Sequence, residues 1–192
     1  MIKTIRILIG LLLFWPSLTV ASTPLETARS FLKELVTVST LQTIEERTDR
    51  IRGLVQGHFD FNSFYQKTLA DHWTQWTLLE QLSFDHSFRG KFVEHLAKNA
   101  NRIKSLHETQ IRFKLSKLPN QVVKVTATGT HGGERIPVSL YLVFRNGDWK
   151  VYDLDVAGAN LSRNYKGRFN YLIRNEGYSG LLAKLSTTTP HP

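Results

Sequence analysis

The chain has 192 residues, 41% hydrophobic and 21% charged, which suits one globular domain and excludes a disordered chain. It contains no cysteine, so disulfide scaffolds, thiol nucleophiles and thiolate metal sites are excluded. Lys and Arg outnumber Asp and Glu by 25 to 16, a formal charge of +9 that points to anionic partners.

The first element reads as an export signal. Lys3 and Arg6 form a basic start, Ile7 to Trp15 is apolar, and Thr19-Val20-Ala21 supplies the small residues a signal peptidase reads. The apolar run is shorter than the roughly 20 residues of a permanent membrane span. We therefore expect a cleaved signal peptide over residues 1–21, a single domain over 22–186, and a disordered tail over 187–192. Without Lys3 and Arg6 the mature chain still carries 23 basic against 16 acidic residues, a charge of +7.

Helices come next. Thr23-Pro24 is a helix start, with Thr as N-cap and Pro in the first turn. Leu25, Ala28, Phe31, Leu32 and Leu35 follow at helical spacing, and the β-branched run Thr37–Thr40 predicts a break. A second helix carries Leu41, Ile44, Ile51 and Leu54/Val55 up to Gly57. Asp60 is placed to cap a third helix, with Phe59 stapled against Phe64. Beyond Trp73 and Trp76, a longer helix is predicted from Ser87 to Leu106, with Phe88, Phe92, Leu96 and Ile103 in register.

From Glu108 the apolar period changes from 3.6 to 2. Four strands are predicted. Ile111, Phe113 and Leu115 alternate first, then Val123, Val125 and Ala127, with Leu118-Pro119-Asn120 as the turn between. A glycine-rich loop at Gly129–Gly133 leads to Ile136, Val138, Leu140, Leu142 and Phe144. Asn146-Gly147 is a hairpin turn, after which Trp149 to Val156 places Tyr152, Leu154 and Val156 on one face. Leu161, Tyr165, Phe169 and Leu172 then form a helical stripe ending at Gly177, followed by a short helix over 179–185. The expected fold class is α+β: a four-stranded antiparallel meander sheet wrapped by N- and C-terminal helices.

Enzyme motifs are weak. The histidines at 58, 72, 86, 95, 107, 131 and 191 show no i, i+4 pair and no HExxH. Gly177-Tyr178-Ser179-Gly180 lacks the GxSxG spacing and follows a helix, not a strand. His131-Gly132-Gly133 sits at a hairpin tip. Asp153 and Asp155 share a strand face, a pairing that serves structure, a partner or acid–base work. No catalytic residue and no metal ligand is assigned. Two helices are basic: Arg89, Lys91, Lys98, Arg102 and Lys104 stand against Glu94, and Arg163, Lys166, Arg168 and Arg174 stand in a stretch without acid. They read as solvated surface or as faces for anionic partners, and in an exported protein those anions are phospholipid head groups and acidic proteins, not nucleic acid.

The run Trp149-Lys150-Val151-Tyr152-Asp153-Leu154-Asp155-Val156-Ala157-Gly158-Ala159-Asn160-Leu161-Ser162-Arg163-Asn164-Tyr165, with Phe169 and Gly177-Tyr178-Ser179-Gly180-Leu181-Leu182 beyond it, resembles the MlaC (toluene-tolerance) family of periplasmic phospholipid-binding proteins. The likeness is strong over the last 45 residues or so and looser upstream, through Phe59-Asp60-Phe61 and the Phe84/Phe88/Phe92 ladder. The chain departs from the family pattern at Leu69-Ala70, where the family has Leu-Gly, and at Ala157, where it has an acid.

The resemblance implies an MlaC-like (NTF2-like) fold around an apolar cavity and a soluble, periplasmic, non-enzymatic carrier without cofactor. Such a carrier shuttles phospholipid between an outer-membrane lipoprotein–porin complex and an inner-membrane ABC transporter with an MCE-type substrate-binding subunit, maintaining outer-membrane lipid asymmetry. Face parity then nominates Ile111, Phe113, Val123, Val125, Val138, Leu140, Leu142, Tyr152 and Leu154 from the sheet as lipid-lining. Phe88, Phe92, Leu96, Tyr165 and Phe169 join them from the helices, and Arg163, Lys166 and Arg168 face the head group or a partner. A hopanoid or isoprenoid carrier and a non-lipid adaptor remain the alternatives.

Overall fold

The computed structural model of the protein describes residues 22–103, 111–131 and 134–186. The predicted signal peptide, the change of period at Glu108, Gly132-Gly133 and the tail from 187 lie outside the described residues.

Helix α1, Pro24–Thr40, begins where the sequence predicts, closed by a reciprocal capping box: Glu26 N–H donates to Thr23 Oγ1 and Thr23 N–H donates back to the Glu26 carboxylate. The break expected at Thr37–Thr40 does not occur. Thr37 and Thr40 turn their hydroxyls back onto the carbonyls of Lys33 and Thr37, while Val36, Val38 and Ser39 are buried. Packing overrides the weak β-branched penalty. Leu41 caps this helix, and α2, Ile44–His58, starts three residues later than expected behind a second capping box, Thr43 with Glu46.

Asp60 caps α3, Phe61–Leu69, as predicted, and the Phe59 and Phe64 rings meet at 5.8 Å. Ala70 then turns the chain into α4, Asp71–Gln75, at φ 49° and ψ −125°. This positive-φ backbone, outside the left-handed helical well, costs an L-residue on the order of 1–3 kcal/mol and is open to glycine, which fits the Leu-Gly that the resemblance sets against Leu69-Ala70.

Helix α5, Leu78–Asn99, starts nine residues before the predicted Ser87. A third capping box, Thr77 with Glu80, sets that start, with the Thr77-x-x-Glu80 spacing as its local signal. The earlier start brings Asp85 onto the helix, where it pairs with Arg89 at 2.8 Å.

The sheet has five strands, not four: β1 Arg112–Leu118, β2 Val122–His131, β3 Glu134–Arg145, β4 Asp148–Val156 and the two-residue β5 Ala159–Asn160, antiparallel and in chain order. The fifth escapes periodicity because two residues have no period. A second correction concerns β4. The register slips between Tyr141, paired with Asp153, and Leu142, paired with Val151, so Tyr152 is an extra residue. Its ring therefore lies 6.5 Å from that of Tyr141, with Lys67 Nζ over both rings, while Val151 and Leu154 face the core.

Helix α6, Leu161–Ser186, carries the predicted stripe and bends at Gly177, whose φ 68°, ψ −171° is open only to glycine. Past the bend Tyr178 donates to the Glu80 carbonyl at 2.8 Å and meets Trp76 at 4.8 Å. The last turns thus fold onto the start of α5. A side chain on Gly180 would collide with Glu176.

Candidate functional site

Two kinds of interior fill the molecule. Between α3, α5 and α6 the rings of Phe61, Phe64, Phe84, Phe88, Phe92 and Phe169 form a continuous stack at centroid spacings of 5.1–6.5 Å with Tyr165. Phe64, Phe84, Phe88 and Phe92 have no exposed surface at all. Tyr65 donates to Asp85 at 2.8 Å, and burial, then Asp85, push its phenol far above the ordinary value.

At the other interior the sheet's core face meets α1, the end of α5 and the start of α6, and the side chains are aliphatic. A cleft of about 250 Å³ opens there. Val138, Leu154 and Val156 form its sheet wall, Leu35 comes from α1, and Leu96, Ala100 and Ile103 come from the α5 end. Leu161 and Asn164 close it from α6, and His95, Asn99 and Arg102 stand as polar groups in the lining. Burial, then the charges of Arg102 and Arg168, hold the His95 pKa below its ordinary 6.5, so the lining carries Arg102 as its cation at neutral pH.

Asp153 sets this geometry. Its carboxylate, fully buried, accepts from Leu154 N and Ser162 N, from Ser162 Oγ at 2.6 Å, from Asn160 at 3.0 Å and from Lys67 Nζ at 2.6 Å. One side chain therefore joins β4, the first turn of α6 and α3. Asp155 accepts from Gly158 N at 2.8 Å in the turn to β5. The paired carboxylates share a face as expected, and both serve the backbone around the cleft.

The nominated lining residues divide. Leu96, Val138 and Leu154 line the aliphatic cleft. Val123, Val125, Leu140 and Leu142 are buried on the same sheet face. Ile111 and Phe113 pack part-buried at its β1 edge, where the Arg29 guanidinium covers the Phe113 ring at 4.8 Å. Phe88, Phe92, Tyr165 and Phe169 belong to the aromatic stack, and Tyr152 lies on the other face of the sheet. Arg163 and Lys166 are exposed, whereas Arg168 borders a second, more polar cleft between α5 and α6. The rest of the lining, Leu35, Ala100, Arg102, Ile103, Val156 and Leu161 among it, lies outside what face parity selects. Leu35 and Arg102 sit in recognisable helical patterns, but nothing local shows that those helix ends meet the sheet end.

Among the described residues no cluster of His, Asp and Glu could hold a metal ion, and no helix is long and apolar enough to cross a membrane. The chain is an α+β protein whose antiparallel sheet and flanking helices meet over an aliphatic cleft. The family model described as MlaC protein matches residues 26–187, and the chain belongs to that family. The structure is similar to that of a phospholipid-binding protein from Ralstonia solanacearum, determined in complex with a phospholipid: 21% identity, TM-score 0.66, 83% of this chain and 92% of that chain covered. At that identity the likeness is one of fold. No curated protein sequence matches this chain.

Proposed function

We propose that this protein is a phospholipid carrier of the periplasm. It would move lipid between an outer-membrane lipoprotein–porin complex and an inner-membrane ABC transporter with an MCE-type subunit, using no cofactor and performing no catalysis. The observation that carries this reading is the aliphatic cleft at the sheet end, in a family member whose fold relative holds a phospholipid.

The energetics fit such a site. Two acyl chains expose about 30 methylenes, and at about 0.8 kcal/mol each a lone phospholipid in water lies more than 20 kcal/mol uphill. A carrier must offset most of that and no more, or unloading stalls. At about 250 Å³ the cleft is smaller than the roughly 300–1,000 Å³ of pockets that enclose drug-sized ligands. It takes the beginning of a chain, and full loading parts α1 and the α5 end from the sheet, extending the apolar wall toward Leu140, Val125 and Phe113. Val138, Leu140 and Leu154 then line the chains, Arg102 in the lining and the exposed Arg163 beside Asn164 would take the head group, and Lys166 would face a partner.

The test is mass spectrometry of an organic extract of the protein purified from periplasm without detergent, together with the Val138→Trp variant. Near-stoichiometric phospholipid is expected, reduced several-fold in Val138→Trp while unfolding stays cooperative. N-terminal sequencing should begin at Ser22. A folded but lipid-free wild-type protein overturns the carrier, and a hopanoid in the extract replaces the cargo.

A further inference from the structure

The two edges of the sheet are finished differently. On one side β5 has only two residues, Ala159–Asn160, and runs directly into α6. On the other, β1 has seven, Arg112–Leu118, paired to β2 without a bulge from Arg112 opposite Thr128 to Leu118 opposite Val122. It contains no proline, and among the described residues its outer edge has no strand or loop bonded to it. Such an edge presents a row of N–H and C=O groups pointing away from the sheet. Edge strands are commonly shortened, bulged or broken by proline against chance pairing. Strand β1 keeps its length and is guarded by charge alone.

Its side chains alternate in kind as well as in direction. Phe113, Leu115 and Lys117 stand opposite Ala127, Val125 and Val123, on the core face of the sheet. Arg112, Lys114 and Ser116 stand opposite Thr128, Thr126 and Lys124, on the other face. Leu115 is 41% exposed although its partner Val125 is buried, so the core face ends in an apolar strip open at the edge. On the outer face Arg112 and Lys114 are exposed and have no ion pair among the described residues. Lys124 stands diagonal to Lys114 on the same face. The acids of that face, Asp153 and Asp155, lie on β4, where Lys67 pairs with the first and the Gly158 N–H donates to the second.

We propose that the β1 edge is a docking site for an extended segment of a protein partner in which acidic and aliphatic residues alternate. Laid beside β1, such a segment takes up the free main-chain groups. Its acids come opposite Arg112 and Lys114, and its aliphatic side chains come beside Phe113 and Leu115. Opposite charges across a strand pair stabilise it and like charges destabilise it. A second copy of this chain is therefore a poor occupant, since β1 laid against its own copy gathers cations and no acid on one seam. The site is independent of the carrier reading, because no residue of β1 lines the aliphatic cleft.

The test titrates the mature protein with three capped peptides and follows hydrogen exchange of the β1 amides by NMR. One peptide alternates Glu and Val, one holds the same residues in two blocks, and one alternates Lys and Val. The alternating acidic peptide should bind about tenfold more tightly than either control and slow exchange of the outward β1 amides about tenfold. The Arg112→Glu/Lys114→Glu double variant, changed at two exposed positions, should reverse the preference in favour of the Lys–Val peptide. Equal binding of the block peptide without added protection at β1 makes this a general surface for polyanions and overturns strand addition. No binding at millimolar concentration, or an affinity that the charge reversal leaves untouched, overturns the site altogether.

Discussion

The aromatic stack and the aliphatic cleft share α5, yet they are built on opposite rules. Around Phe88, rings from α3, α5 and α6 close at about 5–6 Å with no surface left exposed at Phe64, Phe84, Phe88 or Phe92. Two turns further along the same helix Leu96, and just beyond its end Ala100 and Ile103, face Val138, Leu154 and Val156 across open space. Rigid rings with specific edge and face geometry lock helices together. Aliphatic side chains of modest size can separate and close again with little loss of specific contact. The difference teaches that rings close the helical half completely, and that the opening left to a ligand is where sheet and helix ends meet.

Three substitutions sharpen or break that comparison. The largest effect belongs to Phe88→Ala, which removes a ring from the centre of the stack and should cost about 3–5 kcal/mol by chemical denaturation. Its folded fraction should keep its lipid. Loss of lipid from a still-folded Phe88→Ala protein would put the aromatic half in the binding site and end the distinction. Next is Asp153→Ala, which strips the shared acceptor from β4, α3 and the first turn of α6. We expect a loss of about 3 kcal/mol, given about 1.5–3 kcal/mol for a hydrogen bond to a charged group and about 1 kcal/mol for a helix cap. Here bound lipid should fall as well, because Leu161 and Asn164 lose their anchor beside the cleft. An Asp153→Ala protein with full lipid would separate the seam from the site.

The smallest effect is that of His95, which lies between the two clefts. Its folded pKa lies below the unfolded 6.5, so below that pH the unfolded chain binds more protons than the folded one. Stability is therefore fully present above pH 6.5 and declines as pH falls toward the folded value. In His95→Gln the slope of stability below pH 6.5 should flatten, measured by urea denaturation at stepped pH. An unchanged slope would assign it to other groups.

Much of this architecture is legible in the sequence because it is written locally. Thr23-Pro24 with Glu26, Asp60 with Phe59 and Phe64, the Asn146-Gly147 turn, and the alternation of Val138, Leu140 and Leu142 each combine residue type with short spacing. Each holds in the fold. The strength of the run from Trp149 to Tyr165 has a physical source too. It contains Asp153, Asn160 and Ser162, the side chains that join the last long strand to the last helix.

What the sequence by itself determined is thus the α+β class, the starts of α1, α3 and α6, the strand faces of β2 and β3, and the family. Tertiary structure decided the rest. The continuation of α1 through Thr37–Thr40 depends on burial against other elements. The fifth strand exists because Ala159-Asn160 meets the edge of β4. The bulge at Tyr152 depends on the register β4 takes against β3. Which apolar residues fill a core and which border a cleft was also decided there, since Phe88 and Leu96 share one helical pattern. One meets rings from two neighbouring helices and the other meets a gap at the sheet end, and only the placement of distant segments makes that difference.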